Sequence, residues 1–168
     1  MNNEMVLNIG RFVILVLVQV LLLNHINFMG FINPYLYILF IILLPINLSP
    51  WRTILLGFLL GLAVDVFGDT GGIHASACLV MAYLRPGVLR FAYGISYEHE
   101  TVKFYKTPLK ERLVYVVFMV LIHHTTLFLL TFFSFKHSLL IVKNALFSGL
   151  FSILLIVVVT SLFQKVRQ

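Results

Sequence analysis

The sequence predicts an all-α integral membrane protein with six transmembrane helices, and three observations carry that prediction. Hydrophobic residues make up 61% of the chain and charged residues only 11%, against about 25% charged in an ordinary soluble domain. The apolar residues gather in runs separated by short polar gaps. Basic residues collect in alternate gaps, the pattern that marks cytoplasmic loops. No stretch is long and polar enough to fold as a soluble catalytic head, so residues 1–168 read as a single polytopic membrane domain.

The first span is read over 8–28. Arg11 precedes an apolar run over 12–23, and the Asn24-His25-Ile26-Asn27-Phe28 that follows holds no small-x-small cleavage site, so the run reads as a retained span. The second span, 34–48, opens at Pro34 and should kink at Pro45. The third, 53–67, follows Pro50, with Trp51 and Arg52 suited to the inner interface. The second and third hold about 15 residues each, or roughly 22 Å of helix, where a span takes about 20 residues. Neither shows the polar–apolar alternation of a half-buried soluble helix. Short spans are accommodated by local thinning or by shielding within a bundle. The fourth span is read over 72–91 and interrupted by Arg85-Pro86-Gly87 near the cytoplasmic side; the fifth over 113–135; the sixth over 139–163.

With the N-terminus inside, ten of the twelve basic residues fall on cytoplasmic segments. They are Arg11, Arg52, Lys165, Arg167 and six in the loop 85–112: Arg85, Arg90, Lys103, Lys106, Lys110 and Arg112. Only Lys136 and Lys143 fall outside. Both termini are therefore expected in the cytoplasm.

Gly57, Gly61 and Asp65 recur every fourth residue and share one helix face. A small-xxx-small pair lets another helix approach closely, and tight packing inside the chain is favoured over contact with another subunit. Asp65 is the one acid well inside a predicted span, where carboxylates are paired or functional. With Asp69 and His74 it forms an unevenly spaced trio that makes a weak metal signal. Capping fits better: Asp69 or Thr70 can accept the free N–H groups opening the fourth span, with Asp65 near its positive end. His123 and His124 lie midway along the fifth span and point about 100° apart, which suits hydrogen bonds to other helices better than a shared metal or a proton relay. The basic loop interleaves its charges with Phe91, Tyr93, Tyr97, Phe104 and Tyr105. It suits the anionic inner membrane surface better than RNA, with a cytoplasmic protein partner as a further option. No nucleophile–base pair, phosphate loop or zinc motif is present, so neither enzyme activity nor a metal or cofactor is expected.

The run Gly57-xxx-Gly61-Leu62-xx-Asp65, followed by Gly71-Gly72-x-His74-Ala75 and Ala82-Tyr83-x-Arg85-Pro86, resembles the MreD family of rod-shape-determining proteins. Tyr97-Glu98 and Ile122-His123-His124 look like the version found in Bacteroidetes-type bacteria. The resemblance implies a non-catalytic inner-membrane protein of the cell-elongation machinery that maintains cell shape by organising peptidoglycan synthesis. The partners it implies are membrane lipids, the bitopic protein MreC, an elongation transpeptidase, a SEDS-type glycosyltransferase and the actin-like filament MreB, with no nucleic acid. It also implies a fold shared with the substrate-binding subunits of energy-coupling-factor transporters. That suggests an alternative function as a vitamin-binding transporter subunit. Those subunits meet their coupling partner through an Ala-xxx-Ala face on the first span, and this chain has no alanine before Ala63.

Overall fold

The computed structural model describes residues 3–28, 30, 32–94, 104, 107–133 and 138–165. They form six α-helices, with no strand among them. Four stretches are long and apolar enough to cross a membrane: Val6–His25, Pro50–Gly68, Leu109–Phe132 and Ser138–Leu162. The described residues are thus those of a helical membrane protein. Lys103, Lys106, Tyr97, Glu98, Lys136 and Arg167 lie outside the described residues.

Helix α1 (Asn3–Leu21) continues through a 3₁₀ turn at Leu23–His25. The span predicted over 34–48 is corrected. It is a 3₁₀ turn, Leu36–Ile38, running into a five-residue helix α2, Leu39–Leu43. Together they rise about 14 Å, half of the roughly 30 Å hydrocarbon thickness. The two prolines explain the stop. Pro34 offers no N–H, and Pro45 forces Leu44 out of the helical region to ψ 145°. Pro45 therefore ends the helix instead of kinking it.

Helix α3 (Pro50–Gly68) begins with proline at its first position. It ends at Asp69, whose φ of 51° is left-handed, and Gly71 and Gly72, at φ 63° and 93°, complete a turn that side chains resist. Helix α4 (Ile73–Tyr93) then runs straight through Arg85-Pro86-Gly87, so the predicted interruption is absent. This helix is long enough to span but, with His74, Arg85, Pro86 and Arg90, is less apolar than the four. Helix α5 (Leu109–Phe132) starts a turn earlier than predicted and carries Lys110 and Arg112. Residues 85–93 and 109–112 of the basic loop read over 85–112 are thus helical. Helix α6 is Ser138–Lys165.

Consecutive helices α3, α4, α5 and α6 pack side by side, and α1 lies against α3. The turn at Leu36–Ile38 meets both α1 and α6. Tyr37, Ile38, Leu39, Phe40, Ile41 and Ile42 are buried in the principal core. The short segment is therefore the axis around which the long helices close. Non-spanning backbone at membrane depth is tolerated only when buried in protein in this way.

Candidate functional site

A helix this short leaves both its ends unsatisfied, and side chains from the surrounding helices supply the missing partners. At the start, Gln19 of α1 accepts the Leu36 N–H at 2.8 Å and lies 3.4 Å from that of Tyr37, while its amide donates to the Pro34 carbonyl at 3.0 Å. Ser152 of α6 accepts the Tyr35 N–H at 2.9 Å. At the finish, Arg85 of α4 donates to the Leu44 carbonyl at 2.5 Å and reaches the Pro45 carbonyl at 3.4 Å. Its Nε donates to the Tyr115 hydroxyl at 2.9 Å, and that hydroxyl reaches back to the Ile42 carbonyl at 3.4 Å. A guanidinium at a helix C-terminus also meets its negative end.

The middle of the segment is held through Tyr37. Its hydroxyl lies 2.8 Å from His74 Nδ1 and 2.7 Å from His123 Nε2. His123 Nδ1 is buried without a partner, and orphaned buried N–H groups are rarer than orphaned acceptors. With its proton on Nε2, His123 would donate to Tyr37, leaving the Tyr37 hydrogen for His74 Nδ1. His124 turns to the other side. Its Nδ1 donates to the Val120 carbonyl at 2.9 Å, and its Nε2 lies 3.0 Å from the Ser152 hydroxyl. The Tyr35 ring packs on both histidines and on His74.

The stripe Gly57, Gly61, Asp65 faces α4. A Cβ at Gly61 would sit 2.5 Å from Ala75 Cα and 2.6 Å from its nitrogen. One at Gly57 would meet Ala82 Cβ at 3.0 Å. Asp65 accepts the backbone N–H groups of His74 at 3.0 Å and Ala75 at 2.7 Å, and the Thr70 hydroxyl donates to the same carboxylate. The acceptor for the first turn of α4 is thus Asp65; Asp69 is instead the exposed left-handed residue closing α3.

The basic residues divide. Arg90 and Lys110 are exposed, whereas Arg85 and Arg112 are only 2% and 7% exposed. The surface contact predicted for these two is corrected for that reason: Arg85 is committed to the α2 terminus, and Arg112 lies over the Phe104 ring at 5.6 Å. Among the described residues no cluster of His, Cys, Asp or Glu is arranged to hold a metal. Buried Val116, Met119 and Val120 fill about 12 Å of α5 between the Tyr37 cluster and Tyr115.

Sequence reasoning missed Gln19, Tyr37, Tyr115 and Ser152. Gln19 is the single polar residue in the run 12–23, and Asn144, Ser148 and Ser152 recur every fourth residue. Both were usable signals. No family model, curated protein or solved structure matches this chain.

Proposed function

We propose that the chain is a non-catalytic scaffold of the bacterial cell-elongation complex, seated in the inner membrane with both termini cytoplasmic. One observation supports this most. Five buried polar side chains, Gln19, Tyr37, Arg85, Tyr115 and Ser152, are engaged in closing the chain around its own short segment. Apart from a few buried atoms, what those side chains leave for other molecules is the outer surface of the bundle, which suits holding partner helices. The resemblance to the MreD family of rod-shape-determining proteins supplies the partners: MreC, the elongation transpeptidase, the SEDS-type glycosyltransferase and MreB. The basic residues over 85–112 support the cytoplasmic orientation.

A second reading, a vitamin-binding transporter subunit, has one observation in its favour. His123 Nδ1, Asn144 Oδ1 and Ser148 Oγ are buried without partners, and a small-molecule site needs convergent polar groups. A pull-down of the tagged protein in mild detergent, with its companions identified by mass, separates the two. Wall-elongation proteins are expected; an ATPase with a coupling subunit would replace the scaffold reading by the transporter one.

A further inference from the structure

The Tyr37 hydroxyl lies between two imidazoles, 2.8 Å from His74 Nδ1 and 2.7 Å from His123 Nε2. All three residues are buried. Ionisable side chains at membrane depth are costly and ordinarily functional, and amide side chains could brace the same helices without any group that titrates. A phenol hydroxyl donates one hydrogen bond and accepts another, and a neutral imidazole has one donor and one acceptor nitrogen. The chain His74–Tyr37–His123 can therefore run in either direction with its heavy atoms in place. In one direction His123 Nε2–H donates to Tyr37 and Tyr37 to His74 Nδ1, with the other hydrogen on His74 Nε2. In the reverse direction His74 Nδ1–H donates to Tyr37 and Tyr37 to His123 Nε2, with the other hydrogen on His123 Nδ1. His124 stands apart, turned to the Val120 carbonyl and Ser152.

The two ends of this chain differ. His123 Nδ1 is buried without a partner. His74 is the second residue of α4, next to the turn that exposes Asp69 and Gly71. It keeps 7% of its surface exposed, and its Nε2 makes no hydrogen bond among the described residues. A charge on these rings needs a partner at this depth, and Asp65 provides one. Its carboxylate accepts the His74 backbone N–H at 3.0 Å and acts electrostatically on the ring. The other titratable groups around the chain are Tyr35, Cys78 on α4 and His124 on α5. Helices α1 and α6 bring the uncharged Gln19 and Ser152 to the same segment. Below His123, toward Tyr115, α5 buries Val116, Met119 and Val120, and these offer a proton no further step.

We infer that His74, Tyr37 and His123 form a binding site for one proton, entered from the Asp69–Gly72 end of the bundle and balanced by Asp65. The proton from water forms an N–H bond at His74 Nε2. The His74 Nδ1 hydrogen then passes to the Tyr37 oxygen as the Tyr37 hydrogen passes to His123 Nε2. Two N–H or O–H bonds break and two form, and the positive charge moves from His74 to His123. The site is closed below His123, so the proton returns by the same route. The inference stands apart from the function proposed above, whose orientation only names the entrance as the outer face.

The test uses the full chain in lipid nanodiscs with isotopically labelled histidine, because ring-nitrogen chemical shifts distinguish a protonated nitrogen from a bare one. Signals are assigned by their loss in His74→Gln and His123→Gln. Between about pH 8 and about pH 5, the range in which histidine ordinarily changes charge, the His74 and His123 rings are expected to change together with one midpoint. Tyr37→Phe should silence His123 while His74 still responds. His74→Gln keeps a hydrogen-bonding side chain and should silence His123 too, which serves the test if Tyr37→Phe fails to fold. A His123 ring that does not respond in the wild type would overturn the inference, as would one that responds equally in the variants. In sealed vesicles a pH difference should decay no faster with the wild type than with the His74→Gln protein. Faster decay would show a passage through the membrane and overturn the closed site.

Discussion

Of the glycines, Gly61 of α3 lies closest to the backbone of another helix, α4, and it supports a graded prediction. Replacing a helical glycine by alanine gains about 1 kcal/mol of intrinsic helix stability. Where the new Cβ has space, that gain should survive: Gly10 and Gly87 have nothing within 4 Å. At Gly57 the nearest atoms are Ala82 Cβ at 3.0 Å and the Cys78 carbonyl oxygen at 3.2 Å. A few tenths of an ångström of adjustment there should cancel most of the gain. At Gly61 the obstruction is Ala75 Cα at 2.5 Å and Ala75 N at 2.6 Å, roughly 1 Å inside ordinary van der Waals contact. Backbone cannot rotate away, and moving it strains the Ala75 N–H bond to Asp65 at 2.7 Å. Overpacking of this kind costs about 1–3 kcal/mol, and weakening a hydrogen bond to a charged group about 1.5–3 more. Gly61→Ala should therefore lose about 2 kcal/mol or more net of the propensity gain. Thermal melts followed by helical circular dichroism in one detergent should rank the variants Gly87→Ala, Gly57→Ala, Gly61→Ala from most to least stable. A Gly61→Ala protein that melts at or above the wild type would refute the close packing of α3 on α4.

Three further outcomes follow from the same structure. Asp65→Asn keeps the shape but turns one of the two acceptor oxygens into a donor facing the N–H of His74 or of Ala75, so it should lower stability by about 1–3 kcal/mol; an unchanged melt with partner binding lost would place Asp65 at an interface instead. Tyr115→Phe removes the acceptor of Arg85 Nε and should cost about 1–3 kcal/mol, whereas Tyr83→Phe, on the outward face, should leave the melt of the isolated protein unchanged. With Cys78 buried, a single added cysteine reports topology: Thr70→Cys should react with an impermeant maleimide in intact cells and Arg52→Cys only after permeabilisation, the reverse result inverting the proposed orientation.

The long helices were legible because an unbroken apolar run has few alternatives in a membrane. The predicted spans 8–28, 53–67, 113–135 and 139–163 overlap α1 with its turn, α3, α5 and α6. The segment 34–48 was misjudged because its apolar residues are those of a span. What distinguishes it is its place at the centre of the bundle, which depends on groups elsewhere in the chain, such as Gln19 and Arg85. Proline carried part of the answer. Pro45 ends α2, yet Pro86 does not end α4. Arg85 shows the limit of charge counting: arginine near a membrane face reads as surface, and only the carbonyls freed at Leu44 and Pro45 give it a reason to turn inward. The Tyr37 bridge joins residues 37, 74 and 123, a meeting set by tertiary packing that no local spacing announces.

The claim that this chain organises wall elongation is tested most directly by depleting it in its native host and following cell shape by microscopy, with wild-type and Gly61→Leu copies supplied in trans. Depleted cells should round up, the wild-type copy should restore rods, and the Gly61→Leu copy, unable to pack α3 on α4, should not. Depleted cells that stay rod-shaped and grow normally once vitamins are supplied in excess would contradict the scaffold account.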